Sequence, residues 1–121
     1  MIKLTFALVR RPEFSREAFH TYWFERHAPL VASVKEVLRI RRYVQLHSLS
    51  AEVSEPLRRT RGGPESFDGV AQLWWDSLED MAATGDDPVA VEAGRLLLED
   101  ERKFIDLARS PLWWGEEKVV F

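Results

Sequence analysis

Residues 70–76, VAQLWWD, are short, rich in branched and aromatic side chains and closed by Asp76, which is the make-up of a β-strand. Alternation puts Val70, Gln72 and Trp74 on one side and Ala71, Leu73 and Trp75 on the other, so neither side is polar. A strand expected from about Leu38 to His47 has the same two-sided character, with Tyr43, Gln45 and His47 alternating with Val44 and Leu46. Ile2, Leu4, Phe6 and Leu8 alternate with Lys3, Thr5, Ala7 and Val9 in a first strand, and Trp113 to Phe121 reads as a last one. Ser15 caps a first helix just after Pro12, and Ser77 with Asp80 makes a capping box for a short helix ending at Gly85. Asp87-Pro88 opens a longer helix expected to reach about Ala108. The order β-α-β-β-α-β predicts an α+β fold, the ferredoxin-like plait, as a single domain over 1–121.

In such a plait both helices cover one sheet face, and a monomer would keep the other face polar. The two-sided strands therefore predict a homodimer whose sheets pack face to face. The face assigned to Tyr43, Gln45, His47, Gln72 and Trp74 is expected to line an apolar chamber with a few inward polar groups, the usual composition of a small-molecule site.

The first helix carries FHTYWFERHAPL at 19–30. Phe19, Tyr22, Trp23 and Leu30 form an apolar stripe with His27 on its flank, and His20 falls on the solvent side. Pro29 has no amide for the carbonyl of Glu25, which predicts a kink or break beside His27. In the long helix, Val89, Ala93, Leu96, Leu97, Phe104 and Leu107 make one stripe with Asp100 in its middle. Either Asp100 has a buried partner, such as His27 or an arginine of the first helix, or the helix breaks near Glu99 and Asp100 caps a second segment. Residues 48–67, with Pro56, Gly62-Gly63-Pro64 and Arg58, Arg59 and Arg61, read as a long flexible loop, either disordered or a mobile lid.

Several chemistries are excluded at this level. The chain has no cysteine, which removes disulfides, thiolate nucleophiles and thiolate metal ligands together. Met1–Val9 lacks the basic lead and long apolar run of a secretory signal, so a cytoplasmic location is expected. A net charge of −3 argues against an electrostatic grip on nucleic acid or an anionic membrane. Three scattered histidines make no metal-ligand spacing, no Gly-rich turn cradles a phosphate, and no Gly-x-Ser-x-Gly elbow is present.

The run Phe19-x2-Tyr22-Trp23-x3-His27-x-Pro29-Leu30, then RYVQLH at 42–47, FDGVAQLWWDSLEDM at 67–81 and DERKFID at 100–106, resembles the EthD domain family. The resemblance implies a dimeric α+β barrel. Related barrels include cofactor-free polyketide cyclases, dehydratases and decarboxylases, muconolactone-type isomerases and quinone-forming monooxygenases. It implies histidine and aromatic site positions at His27, Tyr43, His47, Trp74 and Asp100, with Leu46 standing where the family often has Asn. The expected activity is that of a lyase or isomerase without cofactor or metal, moving a proton on a small cyclic or aromatic carbonyl compound. His47 would be the base or acid, Tyr43 the donor to an enolate oxygen, and His27 held by Asp100 the alternative pair. Trp74, Gln72, Gln45, Trp23 and Asp100 would contact the substrate. The alternative is a non-catalytic, small-ligand-binding or accessory homodimer of a catabolic or biosynthetic pathway.

Overall fold

In the computed structural model, which describes residues 1–121, four strands form one antiparallel sheet: β1 (Ile2–Leu8), β2 (Arg42–His47), β3 (Gly69–Trp75) and β4 (Leu112–Gly115), in the order β2-β3-β1-β4. Between β1 and β2 the chain is helical from Arg16 to Val34, as α1 (Arg16–Tyr22), a π-helical turn (Trp23–His27) and α2 (Ala28–Val34). α3 (Ala51–Arg61) joins β2 to β3, and α4 (Leu78–Ala83) and α5 (Pro88–Phe104) lead to β4. The connectivity and strand order are those of the ferredoxin-like fold. No helix is long and apolar enough to cross a membrane.

The capping residues act as the sequence indicates. The Ser15 hydroxyl accepts from the Ala18 amide at 3.0 Å, Ser77 from Asp80 at 3.1 Å, and the Asp87 carboxylate from Val89 at 3.0 Å with Pro88 next to it. Each satisfies an amide that the first helical turn leaves without a partner. α5 is continuous through Asp100 but stops at Phe104, four residues short of Ala108, because Ile105 turns extended and bridges Arg10. The last strand is also shorter than expected, since pairing ends at Gly115.

Pairing register decides which side chains share a face, and it corrects the chamber drawn from alternation alone. Tyr43 pairs with Leu73, Gln45 with Ala71 and His47 with Gly69, while Arg42 pairs with Trp74 and Val44 with Gln72. Tyr43, Gln45 and His47 therefore lie on the helix-covered face, with Leu4, Phe6 and Leu8. Gln72 and Trp74 lie on the opposite, open face. Alternation alone groups the two sets one residue out of phase, and a one-residue slip moves a whole strand to the other side.

The first helix is neither broken nor ended at Pro29. It widens instead: the Ala28 amide reaches the Trp23 carbonyl five residues back, and Pro29, which has no amide to give, falls in the first turn of α2. In a plain α-helix each step of four residues leads by about 40°. The wider turn absorbs part of that lead, and Phe19, Trp23, His27 and Val31, spaced four apart, are all buried.

Phe6, Leu8, Phe19, Trp23, Ala71, Phe104 and Ile105 form the main core cluster. Trp23, 1% exposed, lies directly on β3 at Gly69. A Cβ at that position would stand 2.5 Å from the indole and 2.8 Å from the Leu46 carbonyl oxygen. Next to it, the buried Asp68 carboxylate accepts from the Arg10 amide at 2.8 Å, the Arg10 guanidinium at 3.0 Å and Arg16 at 3.1 Å. These bonds hold the start of β3 against α1 and supply the partners that a buried carboxylate requires.

Residues 51–61, expected as flexible loop, are the helix α3. Glu55 pairs with Arg58 and Arg59 one turn on, and Gly62 closes the helix in the left-handed conformation at φ 62°. None of its residues is buried, so no apolar stripe announces it, and Pro56 sits inside it. We expect Gly69→Ala to lower stability by about 1–3 kcal/mol, because neither the enclosed indole nor the β2 backbone has room to withdraw. Urea unfolding should show a lower midpoint with an unchanged slope.

Candidate active site

Tyr43, Gln45 and His47 stand in a row on β2, facing the helix that runs antiparallel to it. They line a cleft of about 750 Å³ together with Phe24, Ala28, Val31, Ala32 and Ile40, and with Lys35, Arg41 and Arg42. β2 is an edge strand, so one side of the cleft is open along the sheet margin.

Donor direction along the row follows from atoms that have only one role. The Gln45 amide nitrogen is 3.0 Å from the Trp23 carbonyl, which can only accept, so this end of Gln45 is the donor. The same nitrogen donates to the Tyr43 hydroxyl at 2.8 Å. The Gln45 oxygen then faces His47 Nε2 at 2.7 Å, and Nε2 must carry the proton. Nδ1 of His47 is left with the lone pair, and the Tyr43 hydrogen has no acceptor in the protein. One strand thus offers a base and an acid side by side.

The electrostatics suit those roles. Burial pushes the Tyr43 phenol up to about 12, against hydrogen bonds from Gln45 and Trp23 that favour the anion, so the hydroxyl stays protonated. Burial, then the nearby charge of His20, holds the His47 imidazole below its ordinary value, so it is neutral at pH 7. Trp23 stacks on His47 with ring centres 4.7 Å apart and planes at 15°. His20, expected in solvent, instead donates from Nε2 to the Asp68 carbonyl at 2.7 Å, and its ring lies 4.6 Å from that of His47. The sequence held a clue to it, since His20 comes three residues before Trp23 and shares its side of the helix.

The remaining candidates divide. Asp100 is paired within a continuous helix, which excludes the capping alternative. His27 Nδ1 donates to Asp100 Oδ2 at 2.8 Å, and the Tyr22 hydroxyl to Oδ1 at 2.7 Å. Burial pushes the Asp100 carboxyl up, but the bonds from Tyr22 and His27 and the charges of His27 and Lys103 outweigh it, and the group sits below its ordinary range. Burial prevails over the carboxylate at His27, which is lowered. Both His27 and Asp100 are buried, and neither lines the cleft. Trp23 is a core residue that backs His47. Trp74, on the open face, lies between Lys3 and Arg42, and its indole N–H donates to Glu117. Gln72 shares that face. No three metal-ligating side chains converge.

Glu101 escaped the sequence reading. It stands one turn after Leu97 and one before Phe104, on the inner side of α5, yet it makes no hydrogen bond or ion pair. Burial, then the charge of Asp100, pushes its carboxyl up to about 7. Its place on the apolar stripe, between Leu97 and Phe104, is the signal the sequence carries for it.

The chain is thus a ferredoxin-like α+β fold whose cleft, edged by one strand, holds a neutral histidine and a protonated tyrosine. Residues 11–108 match the EthD domain, and the chain belongs to that family. It is 31% identical over 120 residues to the conidial pigment biosynthesis dehydratase EthD of Metarhizium robertsii, covering 95% of this chain and 81% of that one. The fold matches an ethyl tert-butyl ether D (EthD) family protein of Bacillus halodurans with a TM-score of 0.65 at 22% identity, over 98% of this chain and 99% of the other. An EthD-like protein of Ralstonia eutropha gives 0.59 at 21%, over 99% and 94%.

The adjacent carboxylates of α5 should respond to pH in opposite senses. Asp100 is depressed in the folded state, so its contribution is present above the unfolded carboxyl's value and is lost as pH falls through the folded one. Asp100→Ala, which strands the Tyr22 and His27 donors, should cost about 1–3 kcal/mol at pH 7. Glu101 is raised from 4.5 to about 7, so the protein loses stability as pH rises between these values. Glu101→Gln should match the wild type below about pH 4.5 and exceed it by about 1–2 kcal/mol at pH 8, the raised value being discounted for partial solvent access. Thermal unfolding of both variants from pH 4 to 8 checks the pair of signs.

Proposed function

We propose that the protein is a cofactor-free lyase, acting as a dehydratase on a cyclic or aromatic β-hydroxy carbonyl compound, and that it works as a homodimer. The observation that carries the reading is the hydrogen-bonded row Tyr43–Gln45–His47, which fixes a free Nδ1 and a free phenolic hydrogen in one cleft. The dehydratase named among its relatives supports the reaction type.

The steps follow from the two groups. His47 Nδ1 takes the proton from the carbon beside the carbonyl, and the bonding pair moves to the carbonyl oxygen as an enolate. The Tyr43 hydroxyl donates to that oxygen while it carries charge. The enolate then reforms the carbonyl and expels the β-hydroxyl, which leaves as water with the proton held on His47. The imidazole ends neutral, as it began. Stacking on Trp23 and the Gln45 bond keep the ring from turning, so orientation is set before substrate arrives.

The dimer reading rests on the open sheet face. Leu46 at 59% exposure and Trp113 at 51%, with half-buried Val44 and Val70, leave an apolar surface that a second sheet would cover. Trp74 and Gln72 would then lie between the sheets rather than in the cleft.

A direct test uses 3-hydroxy-1-tetralone, which yields fluorescent 1-naphthol on loss of water. His47→Ala should slow its formation about a hundred- to ten-thousandfold and Tyr43→Phe about a hundredfold, with both variants sedimenting at roughly twice the 14.1 kDa chain mass. Because His47 is lowered, the wild-type rate should climb with pH at acid values and level off before its ordinary value of 6.5 is passed. Unchanged turnover in His47→Ala, or loss on His27→Ala alone, would move the base to the π turn. Ligand binding without turnover in any form would leave an accessory binding protein.

A further inference from the structure

His20 takes no part in the proton transfer assigned to His47 and Tyr43, yet this half-buried side chain is anchored at a chosen point. Its Nε2 hydrogen goes to the Asp68 carbonyl at 2.7 Å, and the same oxygen accepts from the Ser48 amide at 3.2 Å, just past the paired ends of β2 and β3. A carbonyl only accepts, so Nε2 is the donor and the neutral ring keeps its lone pair on Nδ1. The Asp68 carboxylate is held in turn by Arg10 and by Arg16, which stands one turn before His20 on α1.

This anchorage sets the His20 ring against His47. The two ring centres are 4.6 Å apart, with the planes at 37°. Trp23 lies 4.7 Å from His47 and 6.5 Å from His20, so the three centres make close to a right angle at His47. The indole therefore covers one face of the imidazole while His20 approaches it from the side. Together with the Gln45 bond they restrict both the turning and the sliding of the His47 ring.

Two imidazoles this close also meet through charge. Neither has a carboxylate partner, unlike His27 with its Asp100. The charged side chains that gather at this corner, Asp68, Arg10 and Arg16, are bonded to one another, and Tyr43 on the same strand is uncharged. A proton on either ring thus opposes a proton on the other, and the two sites titrate together.

We propose that His20 is a positioning residue for His47: braced by Asp68, it holds the imidazole against Trp23 and, once protonated, keeps a second proton off it, so that His47 remains a free base as the medium turns acid. The proposal rests on the reading of His47 as the base and adds what orients and protects that base.

Imidazole NMR tests it without turnover, because the chain has three histidines and hence three Cε1–H signals. In the wild type the His20 and His47 signals should each show a second inflection at the pH where the other ring takes its proton, and the His27 signal should follow neither. His20→Gln keeps an Nε2 donor for Asp68 and removes ring and charge, whereas His20→Phe keeps a ring and removes the charge. Both should raise the His47 midpoint by about half to one pH unit, and the acid limb of 3-hydroxy-1-tetralone dehydration should move up with it. At the plateau His20→Gln should lose about three- to tenfold in kcat with KM unchanged, since His20 is outside the cleft lining, and His20→Phe should lose less. A single inflection for His47 in the wild type, or one midpoint shared by all three proteins, would overturn the proposal. A midpoint that moves while the rate profile stays would remove the base role from His47, and with it the part of His20 in catalysis.

Discussion

The contact between Trp23 and Gly69 is the constraint on which the other arrangements depend. Without a side chain at 69 the indole can lie against β3, which brings the helix close enough to the sheet for its backbone to take part in the site. The Trp23 carbonyl is then within reach of Gln45, and the Trp23 ring is the surface on which His47 rests. A bulkier residue at 69 or a smaller one at 23 would separate helix and sheet, and the imidazole would lose both its platform and its tautomer. Packing and the cleft are therefore not separable here, because a fully buried tryptophan of the core is also the backing of the His47 ring.

Strand and helix order could be read from the chain because alternation and capping are local signals. The extents that failed were those set by distant contacts: α5 ends where Ile105 is drawn to Arg10, and β4 ends at Gly115, the last residue paired to β1. The lining of the candidate cleft was half legible. Tyr43, Gln45 and His47 share a face by alternation alone, but which residues of β3 join them depends on register, a relation between strands that neither strand contains. Gln72 and Trp74 were misplaced for that reason. α3 escaped because it buries nothing and contains a proline, leaving its Glu55–Arg58 spacing and Gly62 as the only cues.

Two adjacent carboxylates show how partners decide ionisation. Asp100 has Tyr22 and His27 and stays ionised despite its burial. Glu101, the very next residue, has no donor and is displaced to about 7. The contrast arises because successive helical residues point about 100° apart, one toward Tyr22 and His27 and the other away from both.

The π turn at Trp23–His27 divides one continuous helix into two segments with separate tasks. Upstream, Phe19 and Trp23 are committed to the core. Downstream, Val31 stays in the core while Ala28 and Ala32 border the cleft. Because the register change lies between them, the downstream wall is free to vary in bulk and charge while the upstream anchor stays fixed. Substitutions on α2 could thus reshape the cleft wall while the hydrogen-bonded row on β2 stays intact.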